Sequence, residues 1–307
     1  MPAQPEAGAG ERRLLFDQHF LKQLERLRFA ALRAASARAR GPQLRATAGR
    51  SLEIMDYRNY RPGDDLRYLD WNAYSRLNQL VVKGFASERS RDLHLLLDTS
   101  ASMAIGAPPK FDVARQLTAA LAYVSLSHLE SVWVHPFGAE PGQSYGPQQR
   151  RTGFMALLDH LEIQPVEAAQ AGETNLAVAL SQAARTLRRP SLVLVISDLL
   201  SLSGVSAGLS ALRARGHDVM VLHLMADVDL TPTDTGFLRL LDDEVGEHLD
   251  ALVDDDMRRE YQQVATRFMA ERAADCRSAQ AQYVPTTTAT PFTEVVLKLM
   301  RSGGLLQ

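Results

Sequence analysis

Apolar strands that alternate with helices are the main pattern of the chain after residue 90. Leu93–Leu97 and Ser191–Ser197 are nearly continuous apolar runs, which is typical of strands buried on both faces of a parallel sheet. Further strands are predicted at 131–137, 218–224 and 282–286, and helices at about 110–130, 151–161, 175–188, 203–214, 255–277 and 291–301. This alternation predicts an α/β domain, a mostly parallel sheet flanked by helices.

The chain before residue 90 has a different pattern. Leucines recur at near-helical spacing between about residues 11 and 40, which predicts one long amphipathic helix that ends at Gly41-Pro42. Residues 1–10 are expected to be a disordered tail, and residues 79–83 are a candidate for a short strand. No apolar run approaches the ~18–20 residues that a transmembrane helix needs, and the first residues lack the features of a secretory signal.

Composition and charge exclude several classes of function. Cys276 is the only cysteine among 307 residues, so an internal disulfide and a cysteine-rich zinc site are excluded. The net charge of -2 argues against a nucleic-acid-binding surface, although twelve basic residues lie between Arg12 and Arg61 and eleven acidic residues lie between Asp227 and Asp256. We expect a cytoplasmic protein without a transmembrane segment and without a nucleic-acid partner; peripheral membrane contact stays open.

The strand at Leu93–Leu97 leads into a loop of small oxygen ligands. Asp98, Ser100 and Ser102 are spaced two residues apart directly after the strand. Ligands bind at the carboxyl edge of open α/β sheets, and Mg²⁺ prefers oxygen ligands in near-octahedral geometry. The spacing therefore predicts a site for one hard cation at this edge.

This loop resembles the metal-ion-dependent adhesion site (MIDAS) of von Willebrand factor A domains, whose pattern is Asp-x-Ser-x-Ser. The two later elements of that site are present in order, with Thr174 before a predicted helix and Asp198 after a predicted strand. The resemblance implies a von Willebrand A-like (Rossmann-like) fold. It also implies Mg²⁺, with Mn²⁺ or Ca²⁺ as possible substitutes, held by Ser100, Ser102 and Thr174 directly. Asp98 and Asp198 would act directly or through water.

A second resemblance lies between Tyr57 and Arg76. The stretch Tyr60-Arg-Pro-Gly-Asp-Asp-Leu-Arg-Tyr-Leu-Asp-Trp71 is similar to the signature of a bacterial domain-of-unknown-function family, the fifty-eighth so named. Members of that family embed a von Willebrand A domain and are associated with MoxR-type AAA+ ATPases. The motif is interpreted either as a structural clasp or as a partner surface, whose candidate residues are Arg61, Asp64, Asp65, Arg67, Asp70, Trp71 and Arg76.

Together these patterns predict the organisation and the function of the chain. We expect a tail at 1–10, an amphipathic helix at 11–42, a family-specific motif region at 43–90, and a von Willebrand A-like domain with a C-terminal elaboration at 91–307. The expected function is a non-enzymatic, Mg²⁺-dependent protein-interaction module, an adaptor or regulator that binds a MoxR-type AAA+ ATPase or its client protein in chaperone-like assembly or maturation. The alternative is a metal-dependent hydrolase that uses the same cation.

A serine-hydrolase pattern is also present but is disfavoured. Gly204-Val-Ser-Ala-Gly208 matches Gly-x-Ser-x-Gly, with Asp227 and His248 in the order of that class. The pattern requires Ser206 at a sharp strand-to-helix turn, whereas Ser206 is predicted to lie inside a helix. No Walker motif is present, so an ATPase activity would have to come from a partner.

Overall fold

The computed structural model describes residues 15–38, 54–59, 69, 74, 80–85, 92–127, 131–149, 151–166, 174–200, 205–241 and 248–301. The chain forms two compact units. One combines Met1–Ser36 with Arg91–Gln307, and the other is Ala37–Ser90.

In the smaller unit, the described residues include one antiparallel pair of strands. Strand β1 (Ile54–Asn59) pairs with β2 (Val81–Phe85), with Asn59 opposite Val81. The predicted strand at 79–83 therefore exists, two residues further along the chain. Leu69 is buried, and the partner-surface candidates of the motif region lie outside the described residues.

The larger unit has a central sheet whose described strands are mostly parallel. They are β3 (Leu93–Asp98), β4 (Val132–Phe137), β5 (Tyr145–Gln148), β6 (Leu192–Ser197), β7 (Asp218–Met225) and β10 (Gln282–Thr287). Their order in space is β10-β7-β6-β3-β4-β5, and only the edge strand β5 is antiparallel to its neighbour. The strand order reverses between β3 and β6, which makes their carboxyl ends the point where such sheets bind ligands.

Helices cover both faces of this sheet. The described helices are α1 (Gln18–Arg38), α2 (Lys110–Ser127), α3 (Phe154–Ile163), α4 (Leu176–Thr186), α5 (Val205–Ala214), α6 (Asp227–Leu230), α7 (Asp255–Ser278) and α8 (Phe292–Arg301). One core cluster joins α1, α2, α3 and α8 to the first face, and a second joins α4, α5 and α7 to the opposite face. The predicted α/β fold, a mostly parallel sheet flanked by helices, is confirmed.

The amphipathic helix α1 belongs to this core. Phe20, Leu24 and Leu27 lie on one face of the helix and are at most 3% exposed. The Phe20 ring packs on Phe292 with centroids 4.9 Å apart. The leucine spacing that predicted the helix is thus explained by burial of one stripe against the sheet domain.

Two antiparallel features were not predicted. Strand β5 contains Gly146 and Pro147 and lies at the sheet edge, where a proline removes no ladder hydrogen bond. Strands β8 (Gly236–Leu241) and β9 (His248–Val253) form a separate pair between α6 and α7, in register from Gly236–Val253 to Leu241–His248. Phe237, on β8, is 88% exposed, so this pair lacks the buried face that makes a strand visible in a sequence.

Candidate metal centre at the carboxyl edge

The loop that follows β3 gathers three of the predicted ligands. Asp98 is the last residue of the strand, and its Oδ1 accepts a hydrogen bond of 3.0 Å from the Ser100 backbone N–H. The Ser100 and Ser102 hydroxyl oxygens are 3.0 Å apart. All three residues are buried. Their side-chain oxygens are therefore shielded from water, although none of them is needed for the hydrogen bonds of a helix or a strand. Small oxygen groups concentrated in this way are suited to a hard cation.

The end of β6 is joined to this loop by a direct hydrogen bond. Ser197 donates its hydroxyl to Asp98 Oδ2 at 2.5 Å and accepts the Leu199 N–H at 2.9 Å. Leu199 has a φ of 57°, a left-handed conformation that is uncommon for a residue other than glycine. This turn places Asp198, which is 1% exposed, beside the first loop at the point where the strand order reverses.

Thr174 lies at the same edge of the sheet, just before the N-terminus of α4. It lies two residues before α4, whose N-cap residue Asn175 accepts the Val178 N–H at 3.1 Å. The Asn175 N–H donates to the Gly138 carbonyl at 3.0 Å, and the Thr99 N–H donates to the neighbouring Phe137 carbonyl at 2.8 Å. Both loops are therefore anchored to the end of β4, and Thr174 is buried there.

A buried lysine that was not predicted completes the site. Lys110, the first residue of α2, has no exposed side-chain surface. Its Nζ lies 2.7 Å from Asp198 Oδ2 and 2.9 Å from Asp229 Oδ2. Asp229 is on α6, where it also accepts the Ala226 N–H at 2.9 Å. Lys110 therefore pairs its positive charge with two carboxylates, that of Asp198 directly after β6 and that of Asp229 on α6.

Burial and like charge both act on Asp98. Desolvation raises its pKa to about 7, and the nearby Asp198 carboxylate adds to the increase, while hydrogen bonds from Ser197 and Ser100 oppose it. The attraction of Asp198 and Asp229 raises the pKa of Lys110, although burial acts in the opposite direction. The lysine is therefore charged, and a positive charge close to Asp98, supplied by a proton or by a cation, is electrostatically favoured.

The donor set agrees chemically with magnesium. It consists of two carboxylates and three hydroxyls, and no cluster of three or more His, Cys, Asp or Glu side chains suited to a metal occurs in the described part of the chain. A site of this composition lacks the nitrogen and sulfur ligands preferred by zinc or copper. Lys110 occupies Asp198 Oδ2, so Asp198 is better placed to act through a water molecule than as a direct ligand.

The serine-hydrolase pattern does not assemble in space. Ser206 lies in the first turn of α5, and its hydroxyl is 3.2 Å from that of Ser278. A hydrolase would require a histidine in this place. Cys276 is fully buried on α7, and burial raises the pKa of its thiol to about 11.

Comparison with known proteins identifies the family. A sequence profile described as "Protein of unknown function DUF58" matches residues 56–271. The chain belongs to this family. It is 27% identical over 268 residues to the uncharacterized protein Rv1480 of Mycobacterium tuberculosis, covering 85% of this chain and 83% of that protein. It is also 32% identical over 112 residues to the uncharacterized protein YeaD of Bacillus subtilis, covering 36% of this chain and 26% of that protein.

Solved structures similar to this DUF58 chain include two of note. The conserved hypothetical protein BatB from Bacteroides thetaiotaomicron is 16% identical with a TM-score of 0.44, covering 69% of this chain and 100% of that one. The SpRpn10 VWA domain is 13% identical with a TM-score of 0.36, covering 68% and 94%. Among the described helices, none is long and apolar enough to cross a membrane.

Proposed function

We propose that this protein is a non-enzymatic, Mg²⁺-dependent protein-interaction module of the DUF58 family that acts as an adaptor or regulator of a MoxR-type AAA+ ATPase. The observation that supports the proposal is that Asp98, Ser100 and Ser102 lie in short contact at one edge of the sheet, with Asp198 and Thr174 on adjoining loops. The resemblance of the sequence to MoxR-associated members supplies the class of partner.

The proposed mode of action follows from the composition of the site. Hydroxyl ligands leave the charge of a bound Mg²⁺ incompletely neutralised, and Lys110 already neutralises part of the Asp198 charge. A bound cation would therefore attract a carboxylate from a partner protein. One charge-assisted contact of this kind is worth roughly 1.5–3 kcal/mol, enough to switch a complex but not to hold it alone.

A metal-dependent hydrolase has less support from the same residues. Such an enzyme needs a general base within hydrogen-bond reach of the attacking water. The histidine closest in register to the site is His223, opposite Ser197, and it is fully buried with Nδ1 bonded to the Tyr283 hydroxyl at 2.7 Å. Lys110 is charged and held by two carboxylates, so it is not a base either.

The experiment that tests the proposal measures binding to the purified MoxR-type ATPase of the same organism. Affinity should fall about tenfold or more in EDTA, and equally in Asp98→Ala, because both remove the cation. Asp159→Ala, a change of an exposed aspartate on α3, should have no effect. Equal affinity with and without the divalent cation would contradict the proposal.

A further inference from the structure

A cavity lies on the sheet face covered by α4, and none of the five candidate metal ligands lines it. It has a volume of about 500 Å³, within the range of small-molecule sites. It lies between α4 and the strands β3 and β4, near His94, the second residue of β3. Asp98 is four residues further along that strand, which corresponds to roughly 13 Å. The cavity extends toward Asp98 as far as Leu96 and Phe137, the register partner of Asp98, but Asp98, Ser100 and Ser102 do not line it.

The cavity exists because α4 covers only part of this sheet face. Ala179, Leu180 and Ala184 of α4 belong to the core cluster that covers β6 and the neighbouring part of β3. Trp133 and His135 on β4 face the same side but are only partly buried. Polar and aromatic side chains therefore line a space that a fully covered sheet would fill with aliphatic ones.

A chain of hydrogen bonds crosses the floor of the cavity. The Ser144 hydroxyl lies 2.7 Å from His135 Nδ1, and His135 Nε2 lies 3.0 Å from His94 Nδ1. Burial lowers the pKa of His94 to about 3 and that of His135 to about 4, so both imidazoles are neutral. Within the described residues His94 Nε2 has no hydrogen-bond partner. Because a neutral imidazole carries one N–H, this atom presents either a donor or an acceptor to the cavity, according to the tautomers of the chain.

The aromatic rings of the floor are nearly parallel. The Trp133 ring lies at 8° to the His135 ring and at 21° to the His94 ring, with centroids 6.3 and 6.0 Å apart. The deep end of the cavity is apolar, because it is lined by Leu96 and Phe137. A flat ring that stacks on the indole, with one polar atom facing His94, matches both properties.

The rim of the cavity carries two positive charges. Arg188 and Arg189 follow α4, line the cavity and are exposed, and neither has an ion-pair partner within the described residues. Asp92 is the one acidic residue among the described lining residues, so the net charge of the cavity lining is positive. Guanidinium groups bind phosphate and carboxylate oxygens through paired hydrogen bonds.

We propose that this cavity binds a planar nitrogen heterocycle that carries an anionic group, the chemistry of a nucleoside monophosphate. The base lies on Trp133 and exchanges a hydrogen bond with His94, and the phosphate lies at Arg188 and Arg189. The proposed ligand does not require the cation, since none of the five candidate metal ligands lines the cavity.

Titrations of the full chain with AMP, GMP, CMP and UMP in EDTA test the proposal, with calorimetry and tryptophan emission as readouts. At least one nucleotide should bind with a Kd of about 1 mM or lower. Its nucleoside should bind at least about tenfold more weakly, and inorganic phosphate alone should bind more weakly than the nucleotide. In Trp133→Phe, the change in emission on binding should be lost.

Matched arginine variants locate the ligand. Arg188→Ala/Arg189→Ala should weaken nucleotide binding about tenfold. Arg185→Ala, which removes an exposed arginine in the last turn of α4 that does not line the cavity, should not weaken it. His94→Gln should weaken binding, and thermal melts should show that each variant is folded. Absence of binding by all four nucleotides, or equal affinity in the double variant and Arg185→Ala, would overturn the proposal. So would loss of binding in Asp98→Ala, because the nucleotide would then lie at the metal centre.

Discussion

Replacement of Lys110 by methionine should destabilise the protein and tighten its cation binding at the same time. The Lys110 ammonium is the only basic group within ion-pair distance of Asp198 and Asp229 among the described residues, and its side chain is completely buried. Removal of one partner from a buried ion pair costs about 3–5 kcal/mol, because the remaining charge is left without compensation. Methionine keeps most of the side-chain volume, so the loss in the free energy of unfolding should come chiefly from the unpaired carboxylates.

The change in metal affinity has the opposite sign for a simple electrostatic reason. A divalent cation near Asp98 is repelled by the Lys110 ammonium. For an illustrative separation on the order of 7 Å and an effective dielectric constant of about 20, this repulsion amounts to roughly 5 kcal/mol as an upper limit. Even a quarter of that value corresponds to about a tenfold change in affinity. We therefore expect Lys110→Met to bind Mg²⁺ at least about tenfold more tightly than the wild type.

The assays are urea unfolding without metal and calorimetric titration with Mg²⁺. Lys298→Met, which removes an exposed lysine of α8, is the control and should change neither quantity appreciably. Because bound metal stabilises the folded state in proportion to the logarithm of its concentration, saturating Mg²⁺ should stabilise Lys110→Met more than the wild type. A destabilised variant whose Mg²⁺ affinity is unchanged or weaker would refute this reasoning, since the lysine would then not oppose a cation at this site.

The remaining predictions concern packing, protonation and reactivity. Gly208→Ala should destabilise the protein by about 1–3 kcal/mol, because the new Cβ would lie 2.5 Å from Leu180 Cβ. Urea unfolding measures this change, and a stabilised variant, as expected for an alanine on an open helix face, would contradict the close contact. The unfolded chain should bind protons at His94 and His135 near pH 6.5, whereas burial lowers their folded pKa values to about 3 and about 4. Stability should therefore fall as the pH falls from 7 to 5, by about 2 kcal/mol for each of these two histidines. That part of the slope should be absent in His94→Gln/His135→Gln, whereas the part due to His223, whose pKa burial also lowers to about 4, should remain. The Cys276 thiol, with its pKa raised to about 11, should react with a thiol reagent only on unfolding, and rapid labelling of the native protein would contradict its burial. Ser206→Ala should leave the calorimetrically measured Mg²⁺ affinity unchanged.

The elements that were predicted correctly are those with a strong local pattern. The apolar runs that became β3, β6 and β7 are buried on both faces, so almost every position is hydrophobic. The helices between them bury one stripe and were visible by their spacing. Strand β5 and the pair β8–β9 lack such a signal, since their apolar side chains are partly or largely exposed.

The candidate metal centre was predicted only in part for a related reason. Asp98, Ser100 and Ser102 are adjacent in sequence, and Thr174 and Asp198 follow in an order that the fold resemblance supplied. Lys110 gave no local signal, because a lysine at the start of a helix is usually on the surface. Its second partner, Asp229, is 119 residues away, so only the folded chain brings the two together.

The pairing of His94 with His135 could not be predicted from the sequence either. His94 and His135 are hydrogen-bonded to each other at 3.0 Å. The sequence places them 41 residues apart and does not show that α4 leaves them uncovered. A cavity forms where neighbouring elements do not cover a surface. Hydrophobic periodicity predicts which face of an element is buried, but it does not predict such a gap.

Calorimetric titration of the wild type, Ser100→Ala and Thr174→Val with Mg²⁺ tests the central claim most directly. Each substitution removes one hydroxyl and nearly preserves shape, and the two residues lie on different loops, each hydrogen-bonded to the end of β4. The wild type should bind one Mg²⁺, and each variant should bind it at least about tenfold more weakly while keeping its fold; Asp159→Ala should match the wild type. Equal Mg²⁺ affinity in all four proteins, or no binding by the wild type, would contradict the assignment of a cation site to this edge of the sheet.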